Sequence, residues 1–222
     1  MGQRQITAAD GFTFSTYEAL PAGRPKGAVV VIQEIFGVNA HIRSVADGYA
    51  KDGYVALAPA LFDRVERNVE LGYTNPDEFQ KGIRLAFQDL RLQDALQDLQ
   101  ATVNAGAAYG KVGVVGYCFG GLLTWLSACE LNGVAAASSY YGGGIAKQLE
   151  RQPKCPIIMH FGERDMHIPM SEVEALRTAH PGIPVHVYAA DHGFNCDTRA
   201  SYDAASATLA RQRTLELFSA HL

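Results

Sequence analysis

Long apolar runs are missing from this sequence. No stretch of its 222 residues approaches the ~18 uninterrupted apolar positions of a membrane span. The first residues, Met1-Gly2-Gln3-Arg4-Gln5-Ile6, lack an apolar signal segment, so no membrane partner and a cytoplasmic location are expected. Charge of one sign is equally scarce: 19 basic against 23 acidic residues leave a formal charge of -4 dispersed along the chain. That offers no basic stripe for nucleic acid or anionic lipid. The four cysteines (Cys118, Cys129, Cys155 and Cys196) form no C-x-x-C pair and no zinc spacing, so neither a metal nor a disulfide framework is expected. The glycine-rich stretch Gly116 to Gly121 lacks both G-x-G-x-x-G and the Lys-Ser/Thr of a phosphate loop. A small-molecule partner and no cofactor remain, with a monomer or weak homodimer as the expected assembly.

What the sequence does have is alternation. Apolar, β-branched runs recur at Ala28 to Ile32, Tyr54 to Ala58, Lys111 to Val115, Val134 to Tyr140, Pro156 to Phe161 and Pro184 to Tyr188. Continuous runs of this kind suit strands buried on both faces. Helical patterns lie between them at His41 to Lys51, Glu78 to Asn104, Phe119 to Leu131, Met170 to Ala179 and Ser201 to Leu222. Alternating strands and helices predict an α/β fold, with a mostly parallel central sheet covered by helices on both faces, in one domain spanning residues 1–222. Arg4 to Thr7 and Phe12 to Tyr17, flanking Asp10-Gly11, predict an N-terminal antiparallel hairpin at one sheet edge. The less periodic Ala60 to Thr74 reads as a loop over a pocket.

Cys118 stands in Gly116-Tyr117-Cys118-Phe119-Gly120-Gly121, between the strand-like Lys111 to Val115 and the helix-like Leu122 to Ala128. This is a strand-to-helix elbow of G-x-nucleophile-x-G form, with sulfur where serine is usual. A thiol needs a base, and the base needs a group to orient its ring and stabilise its charged form. Both follow Cys118 in the chain. Asp165 lies in Gly162-Glu163-Arg164-Asp165, after one predicted strand, and His192 in Ala190-Asp191-His192-Gly193-Phe194, after the next. Nucleophile, acid and histidine in that order are expected of an α/β-hydrolase sheet. Cys118 is therefore the candidate nucleophile, His192 the base and later proton donor, and Asp165 its orienting acid.

Asp165 is preferred over Glu163 and Asp191, because an acid from a separate loop can meet the ring edge-on. His192 is preferred over His167; His160 and His186 fall inside strands, and His41, His180 and His221 read as exposed helix or loop residues. Cys129 and Cys155 read as packing thiols, and Cys196 as an unreactive pocket neighbour. The amide of Phe119, at a helix start, and that of Ile35, in Gln33-Glu34-Ile35-Phe36-Gly37, are the candidate oxyanion donors.

These pieces resemble the dienelactone hydrolase family, also called carboxymethylenebutenolidases, over nearly the whole chain. The resemblance is carried by Gln33-Glu34-Ile35-Phe36-Gly37-Val38-Asn39, by Val114 to Gly121, by Tyr140-Tyr141-Gly142, by Asp165 with Ile168-Pro169, and by His192-Gly193-Phe194. It implies a cysteine hydrolase of small esters or lactones and a part for Glu34 in activating the thiol. It also implies two arginines that hold an anionic lactone, one four residues beyond the histidine and one near the start of the long helix. Cys196 occupies the first position; the second falls near Glu78, with Arg84 the nearest alternative.

Without bidentate guanidinium contacts an anionic lactone loses its best anchor. Neutral lactones and aryl esters are then the expected substrates, on walls formed by Phe36, Tyr73, Trp125 and Tyr140, with phosphotriesters as a side activity. The rival expectations are a true dienelactone hydrolase, a cysteine acyltransferase or peptidase, and a binding protein that kept the fold without turnover.

Overall fold

In the computed structural model, which describes residues 2–222, eight strands form one sheet. β1 (Gly2–Thr7) and β2 (Thr13–Ala19) make the expected edge hairpin, with Ile6 opposite Phe14. β2 runs antiparallel to β4 (Val55–Pro59). From β4 onward every pairing is parallel, through β3 (Ala28–Ile32), β5 (Val112–Tyr117), β6 (Val134–Tyr140), β7 (Ile157–Gly162) and β8 (Val185–Tyr188). The order is β1-β2-β4-β3-β5-β6-β7-β8. All residues of β3 and β5 are buried, which is why their sequences run apolar without alternation.

Helices cover both faces. Successive strand residues point to opposite sides, and β5 shows where each side leads. A Cβ on Gly113 would meet the Phe218 ring at 2.9 Å, whereas the next-door Val112 side chain lies 3.3 Å from the position of a Cβ on Gly106. Phe218 belongs to α6 (Ala204–His221), which packs beside α1 (Ala40–Lys51) through Tyr49. Gly106 ends α3 (Leu92–Gly106), which packs beside α4 (Phe119–Glu130).

The structure corrects the predicted long helix Glu78 to Asn104. It is broken into α2 (Pro76–Arg84), a π-helical turn (Leu85–Asp89) and α3, with Leu90 extended between them. Gly82 presses so closely on the Ile35 carbonyl that a Cβ there would come within 2.4 Å of its oxygen. α2 is thereby held on the loop after β3 while α3 follows the sheet. One straight helix could not satisfy both, and the turn with buried Leu85, Ala86 and Leu90 absorbs the change of direction.

Ala60 to Thr74 also differs from expectation. It backs the loop after β3, with the Leu71 amide donating to the Phe36 carbonyl at 2.9 Å, and lines a small cleft beside β2 in place of the pocket that holds Cys118. His41 and His180, expected on the surface, are buried. α5 (Met170–Ala179) follows β7, and α6 begins at Ala204, where Asp203 caps it by accepting from the Ser206 amide. Glu34, Cys118, Asp165 and His192 follow β3, β5, β7 and β8 in turn, so the parallel strands deliver all four to one sheet edge.

Candidate active site

Cys118 joins β5 to α4 with φ 56° and ψ -115°, a conformation that costs a non-glycine residue on the order of 1–3 kcal/mol. Its surroundings hold it there. The Cys118 amide donates to the Tyr140 carbonyl at 3.0 Å, and its own carbonyl accepts from the Gly121 amide at 2.9 Å. Glycines make the bend sterically feasible: a Cβ on Gly116 would lie 2.1 Å from the Gly120 carbonyl oxygen, and one on Gly120 would lie 2.5 Å from those of Ile32 and Gln33. The Phe119 amide, first in α4, has no intrahelical acceptor.

His192 Nδ1 lies 2.7 Å from Asp165 Oδ2. Asp165 Oδ1 accepts from the amides of His167 at 2.8 Å and Ile168 at 3.2 Å, so both carboxylate oxygens are engaged and the acid is fixed toward the ring. Burial pushes the proton affinity of His192 down. The nearness of Cys118 and the hydrogen bond to Asp165 outweigh it and raise the pKa to about 10.

Glu34 is fully buried. Its Oε2 accepts from the Tyr73 hydroxyl at 3.0 Å, and Oε1 lies 3.8 Å from Arg199 Nη1 without a hydrogen bond. Behind it sit His41 and Cys196, both buried, whose ring nitrogen and sulfur come within 4.8 Å of each other and of a Glu34 oxygen. Burial pushes the His41 proton affinity down, but Cys196, Glu34 and Asp197 outweigh it and bring the pKa to about 9. Cys196 therefore belongs to this inner cluster and does not line the pocket.

The pocket above Cys118 and His192 encloses about 460 Å³. Ile35 and Phe119, the expected oxyanion donors, line it together with Phe36. The other expected walls do not. Trp125 is buried with its ring edge-on to His180, and Tyr140 is buried with its hydroxyl on Thr214 at 2.8 Å; both pack beneath the site in the core. Tyr73 packs behind Phe36 with its ring tilted by 56° and centroids 4.4 Å apart, and its hydroxyl serves Glu34.

The actual walls are Phe79, Ile83 and Phe87 from α2 and its π-turn, with Leu122 opposite and Lys147, His167 and Arg199 supplying polar groups. The i, i+4, i+8 spacing of the first three was visible in sequence but is shared with any core-facing helix stripe. Arg199 carried no signal, because it reaches the pocket from seven positions beyond His192. Among the described residues no helix is long and apolar enough to cross a membrane.

A strand-turn-helix elbow at the edge of a mostly parallel sheet, with acid and histidine following on later strands, defines an α/β-hydrolase. Comparison narrows the class: the chain matches the dienelactone hydrolase family model over residues 14–222 and belongs to that family of hydrolases. It is 33% identical over 224 residues to the carboxymethylenebutenolidase of Pseudomonas putida, covering 96% of this chain and 94% of the relative. The carboxymethylenebutenolidase of another Pseudomonas strain is 37% identical over 225 residues, covering 96% and 92%. A crystal structure from Klebsiella pneumoniae superposes with a TM-score of 0.85 at 31% identity, over 98% of this chain and 97% of that one. A dienelactone hydrolase-like promiscuous phosphotriesterase from metagenomic libraries shares the fold, with a TM-score of 0.77 at 20% identity over 99% and 98% of the two chains.

Proposed function

We propose that this hydrolase cleaves small esters or lactones through an acyl-thioenzyme formed on Cys118. The observation that carries the reading is the elbow cysteine adjoining a histidine that Asp165 holds at 2.7 Å. His192 takes the thiol proton, and sulfur attacks the carbonyl carbon. The resulting oxyanion is met by the amides of Phe119 and Ile35. Collapse expels the alkoxide, which takes the proton from His192; water, deprotonated by the same ring, then releases the acid and frees Cys118. Glu34 takes part in thiol activation, as the family resemblance implies.

Neutral substrates fit best. The walls are mostly apolar, Arg199 already faces Glu34 at 3.8 Å, and Lys147 is exposed at the rim. An anionic lactone must compete with Glu34 for the guanidinium. Phosphotriesters are a second substrate class: a thiolate can attack phosphorus, and the same amides can take up charge on the phosphoryl oxygen. The likeness to a promiscuous phosphotriesterase supports only the fold that such a side activity requires.

The test is a hydrolysis panel of neutral p-nitrophenyl esters, an anionic dienelactone and a neutral phosphotriester, with mass spectrometry of quenched reactions. A mass increase of one acyl group on the Cys118 peptide, absent in Cys118→Ala, is expected. Turnover that survives Cys118→Ala overturns the mechanism.

A further inference from the structure

Behind the pocket, His41 and Cys196, which the hydrolytic mechanism does not use, converge on Glu34. Glu34, His41 and Cys196 come from the loop after β3, from α1, and from the loop after β8. One ligand-type atom of each lies within 4.8 Å of the other two, and all three residues are buried. Each of the three side chains also has a polar neighbour. His41 Nδ1 faces Asp197 Oδ1 at 3.0 Å, Glu34 Oε2 accepts from Tyr73 at 3.0 Å, and Cys196 Sγ contacts Thr198 Oγ1 at 3.2 Å. Within these residues His41 Nε2 and Glu34 Oε1 are buried without a hydrogen-bond partner, a costly condition for two polar atoms.

We propose that this cluster is a binding site for a divalent metal ion of the zinc type. Sulfur, imidazole nitrogen and carboxylate oxygen are the zinc donor set, and three protein ligands leave a fourth position open. The outer contacts have the form of a metal site's supporting shell, in which a ligating histidine gives its other N–H to a carboxylate, here Asp197. Charge balances: the Cys196 thiolate and the Glu34 carboxylate neutralise a divalent cation, His41 binds as the neutral ring, and protons are released to water on binding.

Tetrahedral zinc with bonds of ~2.0–2.3 Å spaces its ligands about 3.3–3.6 Å apart, so side chains within 4.8 Å need close by roughly 1 Å. His41 and Asp197 also line a surface cleft, which gives an ion a way in. The ion would replace Arg199 as the counter-charge of Glu34. On the reading above, in which Glu34 helps activate Cys118, metal binding therefore slows hydrolysis.

The test titrates Co²⁺, as a spectroscopic probe, into Cys118→Ala, so that the pocket cysteine cannot supply the sulfur. One equivalent per chain with a thiolate-to-cobalt charge-transfer band, displaced by Zn²⁺, is expected. Adding Cys196→Ser should abolish the band. Asp197→Asn, whose side chain is 61% exposed in the parent and whose change leaves the core intact, should weaken binding about 10–100-fold.

Absence of stoichiometric binding, or a band unchanged by Cys196→Ser in a variant that still melts cooperatively, overturns the site. With the Cys118-containing enzyme, inhibition by Zn²⁺ should be reversed by EDTA and lost in Cys196→Ser. Ion binding at Cys196 without inhibition would retain the site and remove Glu34 from the mechanism.

Discussion

The Tyr73 hydroxyl donates to Glu34 Oε2 at 3.0 Å and itself accepts from Asn39 Nδ2 at 3.1 Å. Asn39 also caps α1, accepting from the Ile42 amide, and reaches the Leu71 carbonyl. One string of polar contacts thus ties the buried carboxylate to a helix start and to the segment behind the pocket loop. Glu34 is held by its surroundings in a way that a solvated loop acid would not be.

Tyr73→Phe removes the hydrogen bond and leaves Glu34 Oε2 unpaired. Bonds to charged groups contribute about 1.5–3 kcal/mol, so a stability loss of that order is expected in chemical denaturation. Esterase kcat/KM should fall roughly tenfold if Glu34 must keep its orientation, a factor equivalent to about 1.4 kcal/mol. An unchanged rate with reduced stability would confine Tyr73 to a structural part.

Cys118→Ser should lose most activity. A hydroxyl is far harder to deprotonate than a thiol, and the sulfur that raises the His192 proton affinity is lost. A decrease of at least about 10²-fold in kcat is expected with neutral p-nitrophenyl esters, by comparison with the usual worth of base catalysis. Near-parental turnover would show that sulfur is not required.

Much of this arrangement was legible before the structure. The elbow, Asp165 and His192 are local patterns at strand ends, and a parallel sheet brings strand ends together whatever the details of packing. Less legible were features that depend on distance through space. Trp125 and Tyr140 look like pocket residues because large aromatics near an elbow often are, yet their helix and strand faces turn into the core. His41 and Cys196 are 155 positions apart and share no motif, so only the packing of α1 against the loop after β8 brings them to Glu34. The break after α2 is fixed by contact of Gly82 with the Ile35 carbonyl, which no helical periodicity records.

The pH response follows from His192. Its folded pKa is raised from 6.5 to about 10, so its contribution to stability is fully present below about pH 6.5 and is lost as pH rises through about 10. On the proposed mechanism the same imidazolium supplies the proton to the leaving group, and the alkaline limb of kcat/KM is expected near pH 10. In Cys118→Ala the sulfur that raises the His192 proton affinity is gone, and the ring resonances should titrate at lower pH by NMR. A parent profile that turns over near pH 6.5 would contradict the raised proton affinity of His192.

Stability elsewhere rests on Arg64. Its guanidinium meets the fully buried Asp98 carboxylate through Nη2 at 2.6 Å and Nε at 3.0 Å, and reaches Asp10 in the β1–β2 turn at 2.5 Å. Burial raises the Asp98 pKa against the opposing pull of Arg64. Arg64→Ala leaves Asp98 buried without a counter-charge, and a loss of about 3–5 kcal/mol in urea unfolding is expected. Arg64→Ala/Asp98→Leu should recover part of it, since the stranded charge is then absent.

Arg199→Gln separates the two substrate classes. The parent guanidinium lines the pocket and lies 3.8 Å from Glu34, so a bound carboxylate and Glu34 draw on the same cation. A neutral ester makes no such demand, and its KM should change by less than about threefold, as for loss of a contact worth under 1 kcal/mol. An anionic lactone would lose a charge-assisted contact worth about 1.5–3 kcal/mol, which raises KM roughly 10- to 100-fold. The glutamine keeps a polar group of moderate length beside Phe36 and Tyr73, whose rings lie 6.0 and 5.9 Å from the guanidinium carbon in the parent, so the wall is not opened. Equal effects on both substrates would mean that Arg199 acts on the reaction through Glu34 and not on the substrate's charge.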